Sequence, residues 1–159
     1  MRFKSNYAFD INYRSLIMLA ILAIMPNFIG MINLPTAYGF KIHLFQYLIF
    51  LAAAMYGPFG GLISGGFGSI FTAVSLGNPY ILVGNMILGF CTGFLFKKGF
   101  NLIIAAMIAY SIQIPWLWTT DVYLIGMSAI VVKNLMIALF FSNLIWSCLA
   151  RFTYNKIKG

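Results

Sequence analysis

Residues 57–69 read GPFGGLISGGFGS, and this stretch decides how the rest of the chain folds. Small residues recur at every fourth position, at 57, 61, 65 and 69, and a second stripe runs through 60, 64 and 68. On a helix these positions form two adjacent small faces. Helices in a membrane associate by close backbone contact, which small residues at i and i+4 permit. The stretch therefore predicts a closely packed membrane helix that starts just after Pro58.

Two interpretations of the small faces stay open. The first is a packing ridge inside the chain itself. The second is a partner interface, including Gly57, Gly61 and Gly65, on which the helix docks or slides against another subunit.

The composition of the whole chain is that of a membrane protein. Of its 159 residues, 62% are hydrophobic and 8% are charged, whereas soluble domains carry about a quarter charged residues. One crossing takes about 20 apolar residues. We therefore predict an all-α integral membrane protein, a single domain with six transmembrane helices at about 15–33, 42–56, 59–76, 79–96, 102–117 and 122–148.

The basic residues orient these helices. The net charge is +8, and eight of the ten Lys and Arg residues lie before the first predicted span, between the fourth and fifth, or after the last. Loops rich in Lys and Arg stay in the cytoplasm. Both termini are therefore predicted to be cytoplasmic, in a multi-pass protein of the cell membrane. The charge meets lipid headgroups, and no nucleic-acid partner is expected.

Polar and aromatic side chains gather near the predicted outer ends of the spans. Asn78 and Asn85 share one face of the fourth span, where they serve either a ligand or hydrogen bonds between helices. The aromatic residues form either an interfacial belt or the mouth of an outward-facing pocket. They are Tyr38, Phe40, Tyr80, Trp116, Trp118 and Tyr123.

Lys133 is the most informative single residue, because an ammonium group inside a span usually faces a cavity, a partner or a substrate. Counted from Val122, it lies about 17 Å along the last predicted helix, near mid-membrane. Ligand binding, with Asn134 beside it, is favoured over a structural lysine. Such a site suits a ligand with a carboxylate or another electron-rich group. Asp121 is interpreted as a cap or a water-facing residue, without a role in binding.

Catalysis is not expected, and neither is a cofactor or a metal. The acids Asp10 and Asp121 lie far apart, His43 is the only histidine, and Cys91 and Cys148 lack the spacing of metal ligands. The sequence contains no phosphate-binding loop, so the chain cannot hydrolyse ATP by itself.

The region from about residue 15 to 100 resembles the substrate-binding S component of energy-coupling factor (ECF) vitamin transporters. The resemblance rests on Leu34-Pro35, Tyr38-Gly39-Phe40-Lys41-Ile42 and Tyr56-Gly57-Pro58-Phe59-Gly60-Gly61 through Gly65-Gly66. It implies a protein that binds a micronutrient and works with a transmembrane scaffold subunit and two ATPase subunits. The remainder of the chain is similar in topology only.

The resemblance also implies where the site lies. Family members bind their ligand in the outer parts of the last three spans, capped by the loops after the first and third. Those regions hold Tyr38, Asn78, Tyr80, Asn85, Trp116, Tyr123, Lys133 and Asn134. In the first span the family often uses Ala-x-x-x-Ala against the scaffold, and here Ala20 and Ala23 stand at a different spacing. A second hypothesis is a non-transporting membrane interaction or assembly protein, whose glycine stripes pack against a partner and whose Lys133 is structural.

Overall fold

The computed structural model describes residues 13–30, 33–35 and 41–158. Within these residues the chain is helical apart from the connecting turns and two three-residue strands, which pair antiparallel with Leu34 opposite Ile42. The elements are α1 (Tyr13–Gly30), β1 (Asn33–Pro35), β2 (Lys41–His43), α2 (Gln46–Gly68), α3 (Ile70–Leu76), α4 (Tyr80–Lys97), α5 (Leu102–Trp118), a π-helical turn (Thr119–Leu124) and α6 (Ala129–Lys158).

Helix α2 folds back on itself at Gly57. This residue has φ 72° and ψ −154°, a conformation that glycine adopts at little cost, and Pro58 follows it at a position that suits the start of a new helix. A Cβ added at Gly60 would lie 2.9 Å from the carbonyl oxygen of Ala52. Residues eight apart in the chain are thus in contact, which a continuous helix does not allow. The predicted break between the second and third spans is present, although the helix before it begins at Gln46 rather than at 42.

The first glycine stripe packs against α4. A Cβ at Gly61 would collide with the carbonyl of Gly89, and one at Gly65 with the carbonyl of Asn85. Gly93 meets the backbone of Gly57 in the same way, so the second half of α2 and α4 run antiparallel with their backbones in contact. These glycines are buried inside the chain. This corrects the partner-interface prediction for Gly57, Gly61 and Gly65, because α4 already occupies their face.

The second stripe packs against α1. The Ser64 hydroxyl donates a 2.7 Å hydrogen bond to the carbonyl of Leu22, and a Cβ at Gly68 would lie 2.8 Å from Pro26. Ala23 is buried at this contact, whereas Ala20 lies on the exposed side of α1. Two small faces thus let one helix meet two neighbours closely.

The last two helices differ from the prediction. The π-helical turn continues α5 through residues 119–124, and Gly126 at φ 78° reverses the chain before α6 begins at Ala129. The sixth helix therefore does not start at 122, and it runs past 148 to Lys158. Lys133 is the fifth residue of α6, so the prediction that it lies about 17 Å along the last helix is wrong. Asp121 lies within the π-helical turn rather than capping α6.

Four helical segments in the described part of the chain are long and apolar enough to cross a membrane, at 46–76, 80–97, 102–124 and 129–158. The first of them contains the reversal at Gly57, and α1 is a shorter apolar helix. Many large apolar side chains face outward, among them Ile24 and Phe28 on α1. An apolar outer surface is what a protein needs when lipid surrounds it.

Candidate ligand-binding cavity

A cavity of about 280 Å³ lies between α2, α4, α5 and α6. The cavity lies at one end of the helix bundle. The start of α2, the end of α3, the start of α4 and the end of α5 enclose it. Its lining residues are Phe45, Gln46, Thr72, Leu76, Asn78, Ile81, Asn85, Gln113, Leu117, Asp121, Ile125, Met127, Leu135 and Leu139. An apolar cavity with a few convergent polar groups is the usual form of a small-molecule site.

The basic ends of the helices lie away from this cavity. Lys97 lies in the last turn of α4 and Lys98 follows it, whereas the cavity is lined by the first turns of that helix. The rings of Phe96 and Tyr154 pack edge to face with 5.3 Å between centroids, so the end of α4 meets the basic last part of α6. The cavity and the basic residues thus occupy opposite ends of α4.

The carboxylate of Asp121 is the one charged group among the described residues that line the cavity. Its residue is only 3% exposed, and the Asn78 side-chain amide donates a 2.7 Å hydrogen bond to Oδ1. The amide oxygen of Asn78 in turn accepts a 3.1 Å hydrogen bond from the backbone N–H of Tyr80. Asn78 is therefore held from both sides, and Oδ2 of Asp121 has no hydrogen bond from any described residue.

Two further amides in the cavity have no protein partner. Asn85 is 5% exposed and Gln113 is 4% exposed, and within the described ranges neither side chain makes a hydrogen bond. Gly84 leaves room for Gln113, since a Cβ there would come within 3.2 Å of Nε2. Among the described residues the fully enclosed amide without a hydrogen bond is that of Asn143, whereas the amides of Asn85 and Gln113 face the cavity. Such groups are expected where a bound molecule completes their hydrogen bonds.

Gln46 is a third amide with spare capacity. Its oxygen accepts a 2.7 Å hydrogen bond from the Ser142 hydroxyl, which fixes the side chain between α2 and α6. Among the described residues its Nε2 has no hydrogen-bond acceptor. The cavity thus presents both donors and acceptors from three different helices.

The predicted site residues fall into separate places. Asn78 and Asn85 line the cavity together. Trp116 and Tyr80 lie beside the cavity and contact each other. The indole N–H donates a 3.1 Å hydrogen bond to the Tyr80 carbonyl, and the two rings pack edge to face. That pair joins the start of α4 to α5. Tyr123 is 71% exposed, which leaves it outside the cavity.

Lys133 and Asn134 also lie outside the cavity, and both are exposed. Lys133 lines an open, apolar groove between α5 and α6, together with Tyr110, Ile114, Trp118, Met136, Ile137, Phe140 and Phe141. Its neighbour Val132 is fully buried, so Lys133 projects from a different side of α6. The remaining predicted residue, Tyr38, lies outside the described residues.

Sequence reasoning missed Asp121, Gln113 and Gln46. A signal for the first two was present, because Gln113, Leu117 and Asp121 are spaced four apart and so share one helix face. The sequence prediction ended the fifth span at 117 and began the sixth at 122. Asp121 was therefore assigned to the loop between them, and the face that it shares with Gln113 was overlooked. Gln46 carried no comparable signal, since its position depends on where the chain enters α2.

Comparison with protein-family models, with curated proteins and with solved structures finds no match to this chain. In the described residues no group of three or more His, Cys, Asp and Glu side chains is arranged to hold a metal ion.

Proposed function

We propose that this chain is the substrate-binding subunit of an ECF-type importer in the cell membrane. It captures a micronutrient from outside, and a scaffold subunit and two ATPase subunits drive uptake. The observation that carries the proposal is the cavity, in which the buried amides of Asn85 and Gln113 have no partner among the described residues. The resemblance of residues 15–100 to ECF S components supports the same function.

The proposal includes six crossings with both termini in the cytoplasm. The reversal at Gly57 supports it, because it divides the segment 46–76 into two antiparallel halves. With α1, this makes six apolar helical stretches. In this topology the cytoplasm is faced by Lys97, Lys98 and the basic end of α6. The cavity lies at the other end of α4 and opens to the outside.

Partner contact is proposed through the exposed side of α1. Of the five residues predicted to meet a partner, Ala20 is the one that is exposed, whereas Ala23 and the three glycines are buried. Large side chains such as Leu16 and Ile24 surround it with an apolar surface. The alternative of an assembly protein loses its main support, because the glycine stripes pack inside the chain.

The proposal is tested by what the protein retains on purification. The tagged chain is extracted in mild detergent from cells grown in rich medium, and small molecules released by denaturation are identified by mass spectrometry. Gln113→Leu, prepared in parallel, is the control. We expect the wild type to retain one compound at about tenfold or more the amount found with that variant. Losing one good hydrogen bond weakens the affinity by about this factor. Identical small-molecule profiles from the two proteins would refute binding in the cavity.

A further inference from the structure

We infer that the ligand of this cavity is a small cationic nitrogen compound whose positive group contacts Asp121. The inference rests on the proposed function, and it specifies the charge and the size of the substrate. It is the opposite of what Lys133 suggested from the sequence, namely an anionic ligand.

The charge of the cavity wall carries the inference. Asp121 contributes a carboxylate, and no Lys, Arg or His among the described residues lines the cavity. Lys133 belongs to the groove between α5 and α6 instead. A buried carboxylate without a counter-charge is costly, and an anionic ligand would add repulsion in a medium of low dielectric constant. A cation removes both penalties.

The geometry around Asp121 leaves a place for that cation. Asn78 donates to Oδ1, which fixes the orientation of the carboxylate. Oδ2 is left without a donor from the described residues, so an ammonium, amidinium or ring N–H of the ligand has an acceptor there. Asn78 is thus a positioning residue, and Asp121 is the group that touches the ligand.

The rest of the wall defines the remainder of the ligand. The amides of Asn85 and Gln113 offer donors and acceptors to polar ring atoms, while Ile81, Leu117 and Leu139 provide apolar contacts. The volume of about 280 Å³ lies just below the usual range for small-molecule sites, about 300–1,000 Å³. A compound of one or two rings with a basic nitrogen fits this combination.

The test uses the low-molecular-weight fraction of yeast extract, separated at pH 7 into material retained by a cation exchanger, material retained by an anion exchanger, and unretained material. Each is added to the purified full-length chain in detergent, and the midpoint of thermal unfolding is measured. A ligand that binds the folded state raises this midpoint. The variants are Asp121→Asn, which removes the charge at constant shape, and Lys133→Met, which removes the charge of the neighbouring groove.

We expect the cation-exchanger fraction to raise the midpoint of the wild type and of Lys133→Met. Asp121→Asn should need about ten- to a hundredfold more of it, the loss expected for one charged hydrogen bond. The sign of the ligand charge is read on the wild type, so it stands even if Asp121→Asn fails to fold.

Stabilisation by the anion-exchanger or the unretained fraction, or an unchanged response of a folded Asp121→Asn, overturns the cationic ligand and leaves the proposed function intact. If no fraction stabilises the wild type, the proposed function fails, and this inference fails with it.

Discussion

The side-chain amide of Asn78 donates a 2.7 Å hydrogen bond to the carboxylate of Asp121, and this contact joins the turn before α4 to the π-helical turn after α5. Both residues are buried. The same asparagine accepts from the N–H of Tyr80, so one side chain starts a helix and orients the charge of the cavity. Asn78 therefore links the start of α4 to the π-helical turn at the end of the bundle that holds the cavity.

Asn78→Ala should destabilise the protein. The change removes both the cap of α4 and the donor to a buried carboxylate, which together are worth about 2–4 kcal/mol. We expect the midpoint of thermal unfolding in detergent to fall by about 5–10 °C. Asn134→Ala, at an exposed position of α6, is the matched control and should change it little. Equal midpoints for the two variants would contradict the link.

Gln113→Leu and Asn85→Leu should have opposite effects on stability and on binding. Each replaces a buried amide without a partner among the described residues by an apolar group of similar size, so the ligand-free protein should become as stable as the wild type or more stable. Binding of the compound that copurifies with the wild type should weaken about tenfold or more. Unfolding midpoints measured with and without that compound separate the two effects. A large loss of stability without ligand would show that the amides are structural.

Gly61→Ala should be poorly tolerated, whereas Gly66→Ala in the same helix should be accepted. A Cβ at Gly61 would collide with the backbone of Gly89, which cannot move without separating α2 from α4. At Gly66 the new atom would meet the flexible side chain of Met86, at 3.1 Å from Cγ. We expect Gly61→Ala to cost about 1–3 kcal/mol, as overpacking does. The amount of monodisperse protein after gel filtration and its thermal midpoint check this, and similar values for both variants would contradict the backbone contact.

Much of the fold could be predicted from local signals. Glycines four residues apart indicated a close helix contact, and Gly57-Pro58 indicated the break, because both depend on backbone sterics near the residues themselves. The start of α6 could not be found in this way, since residues 122–125 form an apolar run that resembles the beginning of a span. In the structure these residues form the π-helical turn and the reversal at Gly126 instead. Because α6 begins at Ala129 rather than at 122, Lys133 lies outside the predicted site and Asp121 lines the cavity. The sign of the charge in the cavity could therefore only be read from the structure.

The proposed topology predicts which cysteines a membrane-impermeant maleimide reaches in intact cells. Ser128→Cys lies in the turn between α5 and α6 beside the cavity, and Asn155→Cys lies among the basic residues near the end of α6. Both positions are exposed. With cytoplasmic termini, Ser128→Cys should be labelled in intact cells and Asn155→Cys only after the membrane is made permeable. The parent chain, which carries Cys91 and Cys148, gives the background. Labelling of Asn155→Cys in intact cells would place the basic end outside and the cavity toward the cytoplasm, which is incompatible with capture of a ligand from outside.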